Sequence, residues 1–376
     1  MSPPSDALPL VTLVLPVYNE AALLRPNLLD IFTHLETLKD RYRFEVLIVN
    51  DGSRDDSGRI AEAFATEHGF VRVIHHPRNF GLGQGLRTGF AHARGHYAVV
   101  LDIDLSYGPQ HIERMLDRMI ETRAKLVLAS PYGPGGAVAN VPRMRLLLSR
   151  WANRFLSLFA PGNYSTWTCM VRAFDMRFFR GLHLRGSGLE IMPEIVQKAM
   201  ILRARIEEVP AELDWARQNA VSGKRKSSMR VVRQILDTML SGFILRPFAF
   251  LMLPGLAVLL FALYASAWMF IHFFEAYAEL VRVHQDTDPT DALRIAYQSH
   301  PHTYIVALLS LLLSILLFGL GLLAYQAKRY YEDLFHLGST IYRHMVESER
   351  RVTANIGSSR RGSSPESAGH RESLGA

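Results

Sequence analysis

Cysteine is nearly absent: the 376-residue chain has one, Cys169. That excludes an internal disulfide framework and a cysteine-based zinc site. Charge is missing from two stretches. No Asp, Glu, Lys or Arg lies between Arg246 and Glu275, nor between Arg294 and Lys328. Basic residues are also missing from Met1–Leu10, and the apolar run Val11–Val17 ends in Tyr18-Asn19-Glu20. A buried strand is expected there, not a signal peptide. Internal repeats are lacking. Apolar residues reach 49% against 20% charged, which excludes a chain that is disordered for most of its length.

Up to about Trp215, short apolar runs alternate with helical patterns. Val11–Pro16, Phe44–Val49, Val71–His75, Tyr97–Leu101 and Lys125–Ala129 read as strands, and segments such as Ala21–Lys39 and Asp55–His68 read as helices. This alternation predicts an α/β domain with a largely parallel, doubly wound sheet. Ligands of such sheets bind at the C-terminal ends of the strands.

Phe248–Phe274 and Thr303–Gln326 are each long enough to cross a hydrocarbon core of about 30 Å. Before the first span, Arg217, Lys224, Arg225, Lys226, Arg230, Arg233 and Arg246 face only Asp237. Lys328, Arg329 and Arg343 follow the second. The intervening loop holds Glu275, Glu279, Asp286, Asp288 and Asp291 against Arg282 and Arg294. Cytoplasmic flanks carry the Lys/Arg excess, so a two-span integral membrane hairpin with the N-terminal domain and both termini in the cytosol is expected. Topology then accounts for the net charge of +7 without nucleic acid as a partner. The expected organisation is a domain over residues 8–220, a basic juxtamembrane segment 221–246 and a hairpin 247–327. A cytosolic segment 328–347, amphipathic along the membrane or simply solvated, and a disordered tail 348–376 complete it.

Three motifs fall at expected strand ends. Asp102-Ile103-Asp104 follows the apolar strand Tyr97–Leu101. Two carboxylates there are costly unless paired or bound to a cation, and oxygen-only ligands suit Mg²⁺ or Mn²⁺ beside a substrate phosphate. Pro16-Val17-Tyr18-Asn19-Glu20 offers a ring and an acceptor for a base or sugar, or alternatively a capped turn. Asn50-Asp51-Gly52-Ser53 offers an acceptor for a ribose or base, or a plain turn.

Leu15-Pro16-Val17-Tyr18-Asn19-Glu20, Val49-Asn50-Asp51-Gly52-Ser53, Asn79-Phe80-Gly81-Leu82-Gly83 and Leu101-Asp102-Ile103-Asp104-Leu105 together resemble glycosyltransferase family 2. More narrowly, they resemble its dolichyl-phosphate mannose synthase-like, polyprenyl-phosphate hexosyltransferase branch. Ser149-Arg150-Trp151-Ala152-Asn153, Met170-Val171-Arg172-Ala173-Phe174, Glu190 and Glu208-Val209-Pro210 extend the resemblance to about Leu213.

The resemblance implies a GT-A fold and a nucleotide-diphosphate sugar donor. Pro16, Tyr18, Asn19, Glu20, Asn50, Asp51, Asp102, Ile103 and Asp104 would line the donor. Asp102 and Asp104 would be catalytic and hold the metal, with Ser106 completing its site. Arg172 and Arg217 would control phosphate charge. Ser149, Asn153, Arg143, Lys224 and Lys226 would serve the acceptor, a polyprenyl phosphate. Its phosphate is already ionised, so no general base is required. Relatives often have an arginine after the fifth strand where this chain has Pro131, and Arg143 or Arg145 is the expected substitute. The amphipathic segment Val141–Ala160, with Arg143, Arg145, Arg150 and Arg154, is expected to dock at the membrane and help to admit the lipid phosphate, or else simply to cover the sheet.

Other patterns exclude competing chemistry. Gly81-Leu82-Gly83-Gln84-Gly85 misplaces the third glycine of a dinucleotide fingerprint. His92 and His96 have zinc-like spacing without a third ligand. Leu147–Trp151 lacks the glutamine of the Gln-x-x-Arg-Trp motif of processive family 2 synthases. The expected activity is inverting transfer of one hexose, from GDP-mannose or a UDP-sugar, onto a polyprenyl phosphate. The alternatives are a glycolipid hydroxyl acceptor and a non-catalytic nucleotide-sugar scaffold.

Overall fold

A computed structural model describes residues 8–159, 162, 164–221, 247–284 and 288–361. The first part reads β1 (Leu10–Val17), α1 (Ala21–Thr37), β2 (Arg43–Asn50), α2 (Ser57–Glu67), β3 (Val71–His75), α3 (Leu82–His92), β4 (Tyr97–Val100), α4 (Gln110–Thr122) and β5 (Leu126–Ser130). It continues with β6 (Ala137–Ala139), α5 (Arg143–Phe159), β7 (Arg172–Asp175), α6 (Met176–Phe179), α7 (Ile191–Ile201), β8 (Ile206–Pro210), β9 (Glu212–Asp214) and α8 (Ala216–Val221).

Seven strands form one sheet in the order β3-β2-β1-β4-β7-β5-β8, and β6 pairs with β9 in a second, small one. β1, β4 and β5 are apolar along nearly their whole length because helices cover both faces of the main sheet. Leu13, Leu15, Ile48 and Val99 pack in one buried cluster with Leu28 and Ile31 of α1 and Met115 of α4. Val14, Leu47 and Val100 pack in the other with Leu86 and Phe90 of α3 and Ile195 of α7. Gly89 lets α3 approach β1 closely, since a Cβ there would lie 2.5 Å from Val14 Cγ1.

The sheet departs from a wholly parallel one at β7, which runs antiparallel between β4 and β5. The chain crosses the sheet in reverse after α5, so the start of β7 lies at the same edge as the ends of β4 and β5. No local pattern signals that reversal.

Helices α9 (Pro247–His284), α10 (Pro289–Ser299) and α11 (Pro301–Arg361) follow. Phe250–Val283 and Pro301–Ile341 are long and apolar enough to cross a membrane. α9 continues as helix through Pro254, and the Ser314 hydroxyl of α11 donates to the Gly255 carbonyl at 3.2 Å. Such a small-residue contact with a hydroxyl bond is how helices pack in lipid.

α11 does not stop where a disordered tail is expected, at Ser348, but runs to Arg361. Between Glu347 and Ile356 it meets neither glycine nor proline, and it continues through Gly357. Nor does its segment beyond the apolar stretch stand alone. His336 Nε2 donates to the Ile201 carbonyl at 3.1 Å, and the Lys198 ammonium of α7 lies 5.4 Å from the Phe335 ring centre.

Candidate functional site

β1 is flanked by β2 on one side and β4 on the other. In register, Val17 faces Asn50 and Val14 faces Val100, so the three expected motifs share one edge of the sheet. The strand order reverses direction between β1 and β4, where α/β sheets open a ligand crevice.

The first two motifs are fastened to each other. Asn19, at a positive φ of 56°, donates its backbone N–H to Ser53 Oγ at 3.0 Å, and its side-chain oxygen accepts from the Arg54 N–H at 2.8 Å. The Glu20 N–H donates to Ser57 Oγ at 2.9 Å. Tyr18 remains 40% exposed, leaving a ring face open to a planar ligand. Pro16 pairs with Val49 within the sheet. Asn50 is buried and accepts from the Ser53 N–H at 3.1 Å.

Asp51 is buried, and its carboxylate shapes the next loop. It accepts from the Phe80 N–H at 3.0 Å, the Gly81 N–H at 2.8 Å and His76 Nδ1 at 2.7 Å. Both oxygens are engaged by protein. Gly81 and Gly83 then press against the backbone of Gly186–Ser187, where a Cβ on either would come within 2.6 Å. The glycine cluster is thus a packing device between two loops.

Asp102 and Asp104 lie on the turn after β4, each partly exposed. Leu105 takes a positive φ of 50°, and the Ser106 N–H donates to Asp104 Oδ1 at 2.9 Å. The Asp102 carboxyl is pushed well above the usual carboxylate range, first by burial, then by Asp104 and Glu20. Carboxylates converging at the rim of an α/β crevice are relieved by a cation. Among the described residues no group of three or more His, Cys, Asp or Glu side chains makes a complete cage. Two hard oxygen donors with remaining positions left to substrate and water suit Mg²⁺ or Mn²⁺, which bind in that manner. Ser106 is buried, and its carbonyl accepts from the Asp214 N–H at 2.8 Å.

Asn27, which carries no motif signal, braces this turn. Its side-chain N–H donates to the Ile103 carbonyl at 2.7 Å, between the two aspartates. Its oxygen accepts from Arg217 Nη1 at 3.0 Å, and Arg217 also pairs with Asp30 at 2.5 Å. The expected catalytic Arg217 therefore sits against α1, one side chain removed from the acidic turn.

Arg172 is a correction. It is wholly buried and donates to three backbone carbonyls, from Nε to Cys169 at 2.7 Å, Nη1 to Met192 at 2.7 Å and Nη2 to Trp167 at 2.8 Å. Burial lowers its pKa to about 10, which still leaves it charged at neutral pH. A guanidinium spent on carbonyls ties the start of β7 to the loop before it and to α7, and it does not face the crevice. Burial likewise raises the Cys169 thiol to about 11, so it stays protonated.

Asn153 is also turned inward. It is buried, accepts from the Trp167 N–H at 2.7 Å and donates to the Ser149 carbonyl at 2.9 Å. Ser149 Oγ accepts from the Tyr132 hydroxyl at 2.7 Å. The bonds to Tyr132 and Trp167 tie α5 to the loops after β5 and before β7. Glu208 fixes the same loop, accepting from the Ser165 N–H at 2.9 Å and the Thr166 N–H at 3.0 Å. Glu190 accepts from the Ser187 and Gly188 N–H groups at 2.9 and 2.8 Å. Arg143 is exposed, while Arg145 stacks 4.4 Å over the Trp215 ring. Lys224 and Lys226 lie outside the described residues.

Beyond the end of β5 opens a cleft of about 470 Å³, with Pro131, Tyr132, Arg150, Arg154 and Ser165 in its wall. In the sequence, Arg150 and Arg154 belong to the amphipathic segment expected to dock at the membrane or to cover the sheet. Their four-residue spacing was visible, but not the side of α5 that faces the sheet.

Residues 12–182 match the family model described as glycosyl transferase family 2. The chain carries a family 2 glycosyltransferase domain. Its relatives include Glycosyltransferase AglD of Haloferax volcanii, 29% identical over 231 residues, covering 60% of this chain and 35% of that one. Dolichol-phosphate mannosyltransferase of Pyrococcus furiosus is 26% identical over 231 residues, covering 61% and 63%. The chain thus spans about a third of the first relative's length and under two thirds of the second's. Among solved structures, mannosyltransferase PcManGT of Pyrobaculum calidifontis, in complex with GDP-Man and Mn²⁺, is 15% identical with a TM-score of 0.40, covering 89% of this chain and 87% of that one. The family 2 domain accounts for the mixed α/β sheet, and the two long apolar helices lie beyond it.

Proposed function

We propose that the chain transfers a single hexose, with inversion, from a nucleotide-diphosphate sugar to a polyprenyl phosphate. The donor is GDP-mannose or a UDP-sugar, and the reaction runs at the cytosolic face of a membrane. The observation that carries this reading is the meeting of an acidic strand-end turn with a cationic cleft. The acidic turn follows β4 and the cleft follows β5, and both strands end at the same edge of the sheet with the start of β7 between them. The name of the Pyrococcus relative supports the acceptor class.

In this reading the ring of Tyr18 stacks on the base, with Glu20 and the Asp51-shaped loop beside it. Asp102 and Asp104 hold Mg²⁺ or Mn²⁺, which when bound supplies charge neutralisation for the departing diphosphate. Two anionic reactants repel each other, so fixed cations in the cleft lower the cost of approach. The acceptor phosphate is ionised and needs no base, and a single in-line displacement inverts the anomeric centre. The helix pair keeps the domain at the bilayer where a lipid acceptor resides. The basic flanks, including Lys224 and Lys226, favour the cytosolic side.

The test is to incubate membranes containing the protein with each radiolabelled nucleotide sugar and polyprenyl phosphate, with Mn²⁺ or with chelator. A mild-acid-labile labelled lipid is expected, made only with metal and lost in Asp104→Ala. No labelled lipid from any donor, with the protein folded and inserted, overturns the reading in favour of a hydroxyl acceptor or a nucleotide-sugar scaffold.

A further inference from the structure

A second cavity, of about 400 Å³, lies between α7 and α11 and shares no residue with the crevice or the cleft described above. Met200 and Ile201 of α7, with Arg203 just after it, form one wall. Lys328, Glu332 and Asp333 of α11 form the other. The walls are held together by the bond from His336 Nε2 to the Ile201 carbonyl and by the contact of the Phe335 ring with the Lys198 ammonium. The turn that carries Arg203 is fixed as well. Its N–H donates to the Met200 carbonyl at 2.9 Å, and the Ala204 N–H donates to the Ala199 carbonyl at 2.9 Å.

Lys328 is the first charged residue after the apolar stretch of α11. Glu332 stands one turn farther along, about 6 Å. With α11 across a bilayer, that interval falls in the polar layer, about 5–8 Å deep on each side of the hydrocarbon. The cavity therefore opens among lipid headgroups. Its charges balance, Lys328 and Arg203 against Glu332 and Asp333. Lys328 faces Glu332 at 3.5 Å, while Arg203 and Asp333, on opposite walls, make no ion pair among the described residues. A simple anion entering here meets two carboxylates, and a simple cation meets two basic groups. A ligand carrying both charges satisfies both walls. Among the described residues no aromatic ring lines the cavity, so it lacks the usual means of holding a quaternary ammonium. A primary ammonium has three N–H donors and suits carboxylates instead.

We propose that this cavity binds the headgroup of a phosphoethanolamine lipid, with its phosphate on Arg203 and its ammonium on Asp333 and Glu332. The bound headgroup links the α/β domain to α11 through two charges that otherwise have no ion-pair partner, and so steadies the domain against the membrane. The inference does not depend on the proposed transfer reaction. It rests on α11 crossing a membrane.

The test offers the full-length protein, in detergent, equal amounts of phosphatidylethanolamine, phosphatidylcholine and phosphatidylglycerol, and reads the retained lipid by native mass spectrometry. The melting temperature without added lipid is the folding control. The wild type is expected to retain phosphatidylethanolamine about fivefold over either other lipid, the scale of one partly exposed charge contact. Arg203→Gln and Asp333→Asn should each bring it down to the phosphatidylcholine level, with the control melting temperature unchanged. Asp333→Asn should also raise phosphatidylglycerol, because one carboxylate no longer repels that anion. Soluble phosphoethanolamine at the same concentration should not displace the lipid. Equal retention of the three lipids by the wild type, or a preference undiminished in either variant, overturns the site. Displacement by soluble phosphoethanolamine overturns the lipid as ligand. Recovery of the protein in the soluble fraction without detergent removes the membrane premise. Sugar transfer retained by both variants leaves the proposed function standing whatever the lipid result.

Discussion

The side-chain amide of Asn27 donates to the carbonyl of Ile103 at 2.7 Å, pinning the peptide between Asp102 and Asp104 to helix α1. The buried Asn27 is thus a positioning residue for the acidic turn, and through its oxygen it couples that turn to Arg217. Asn27→Ala leaves the Ile103 carbonyl without this donor, a loss of about 1–3 kcal/mol for a buried group. The expected outcome is a lower melting temperature together with weaker metal-dependent binding of nucleotide sugar. An unchanged metal dependence in titrations of the variant would show that the turn holds its shape alone.

Arg172→Met is expected to lower stability by about 3 kcal/mol or more, because three carbonyls lose a charged donor at once. Denaturant unfolding reads this directly. An arginine serving only substrate phosphate would leave unfolding unchanged and alter turnover alone.

Gly52 has a φ of +67°, and a Cβ there would lie 2.2 Å from the backbone carbon of Arg78. Gly52→Ala therefore forces the β2 exit away from the loop that Asp51 organises. The variant should be destabilised, with strain of about 1–3 kcal/mol from the backbone conformation before any clash is counted. Thermal unfolding of the purified variant checks it, and wild-type stability would show the two loops to be independent.

His111 introduces a pH dependence. It is fully buried; Nε2 accepts from the Glu212 N–H at 3.1 Å, so Nδ1 carries the proton it gives to the Gly108 carbonyl at 2.8 Å. Burial lowers its pKa, with only partial opposition from the Gly108 bond. The unfolded chain then takes up a proton first as pH falls. The contribution of His111 to stability is present above its unfolded pKa of about 6.5 and is lost as pH drops below that value toward the folded pKa. Melting temperatures between pH 5 and 8 should fall on the acid side less steeply in His111→Gln than in the wild type.

Sequence legibility followed locality. β1, β2 and β3 were readable because each is a short apolar run between turn residues, and the acidic pair because it follows one. β7 was not, since a strand of four residues ending in Asp175 has no apolar run of its own and is placed by its neighbours β4 and β5. Arg172 and Asn153 matched family motifs, yet their side chains point into protein, a matter of packing that spacing does not encode. Arg150 and Arg154 lay in plain view as charges on an amphipathic helix. Only the inward orientation of Asn153 decides which way they face.

Helix α11 connects an apolar segment to the α/β domain without a break, touching it at Phe335 and His336. A continuous helix has a fixed pitch, so the contact behaves as a spacer of set length and set angle. One residue inserted between Gln326 and Phe335 would raise the docking face by about 1.5 Å and swing it through about 100°. The height and heading of the crevice are therefore written into the residue count of that helix, a quantity that substitutions leave untouched and single-residue insertions do not.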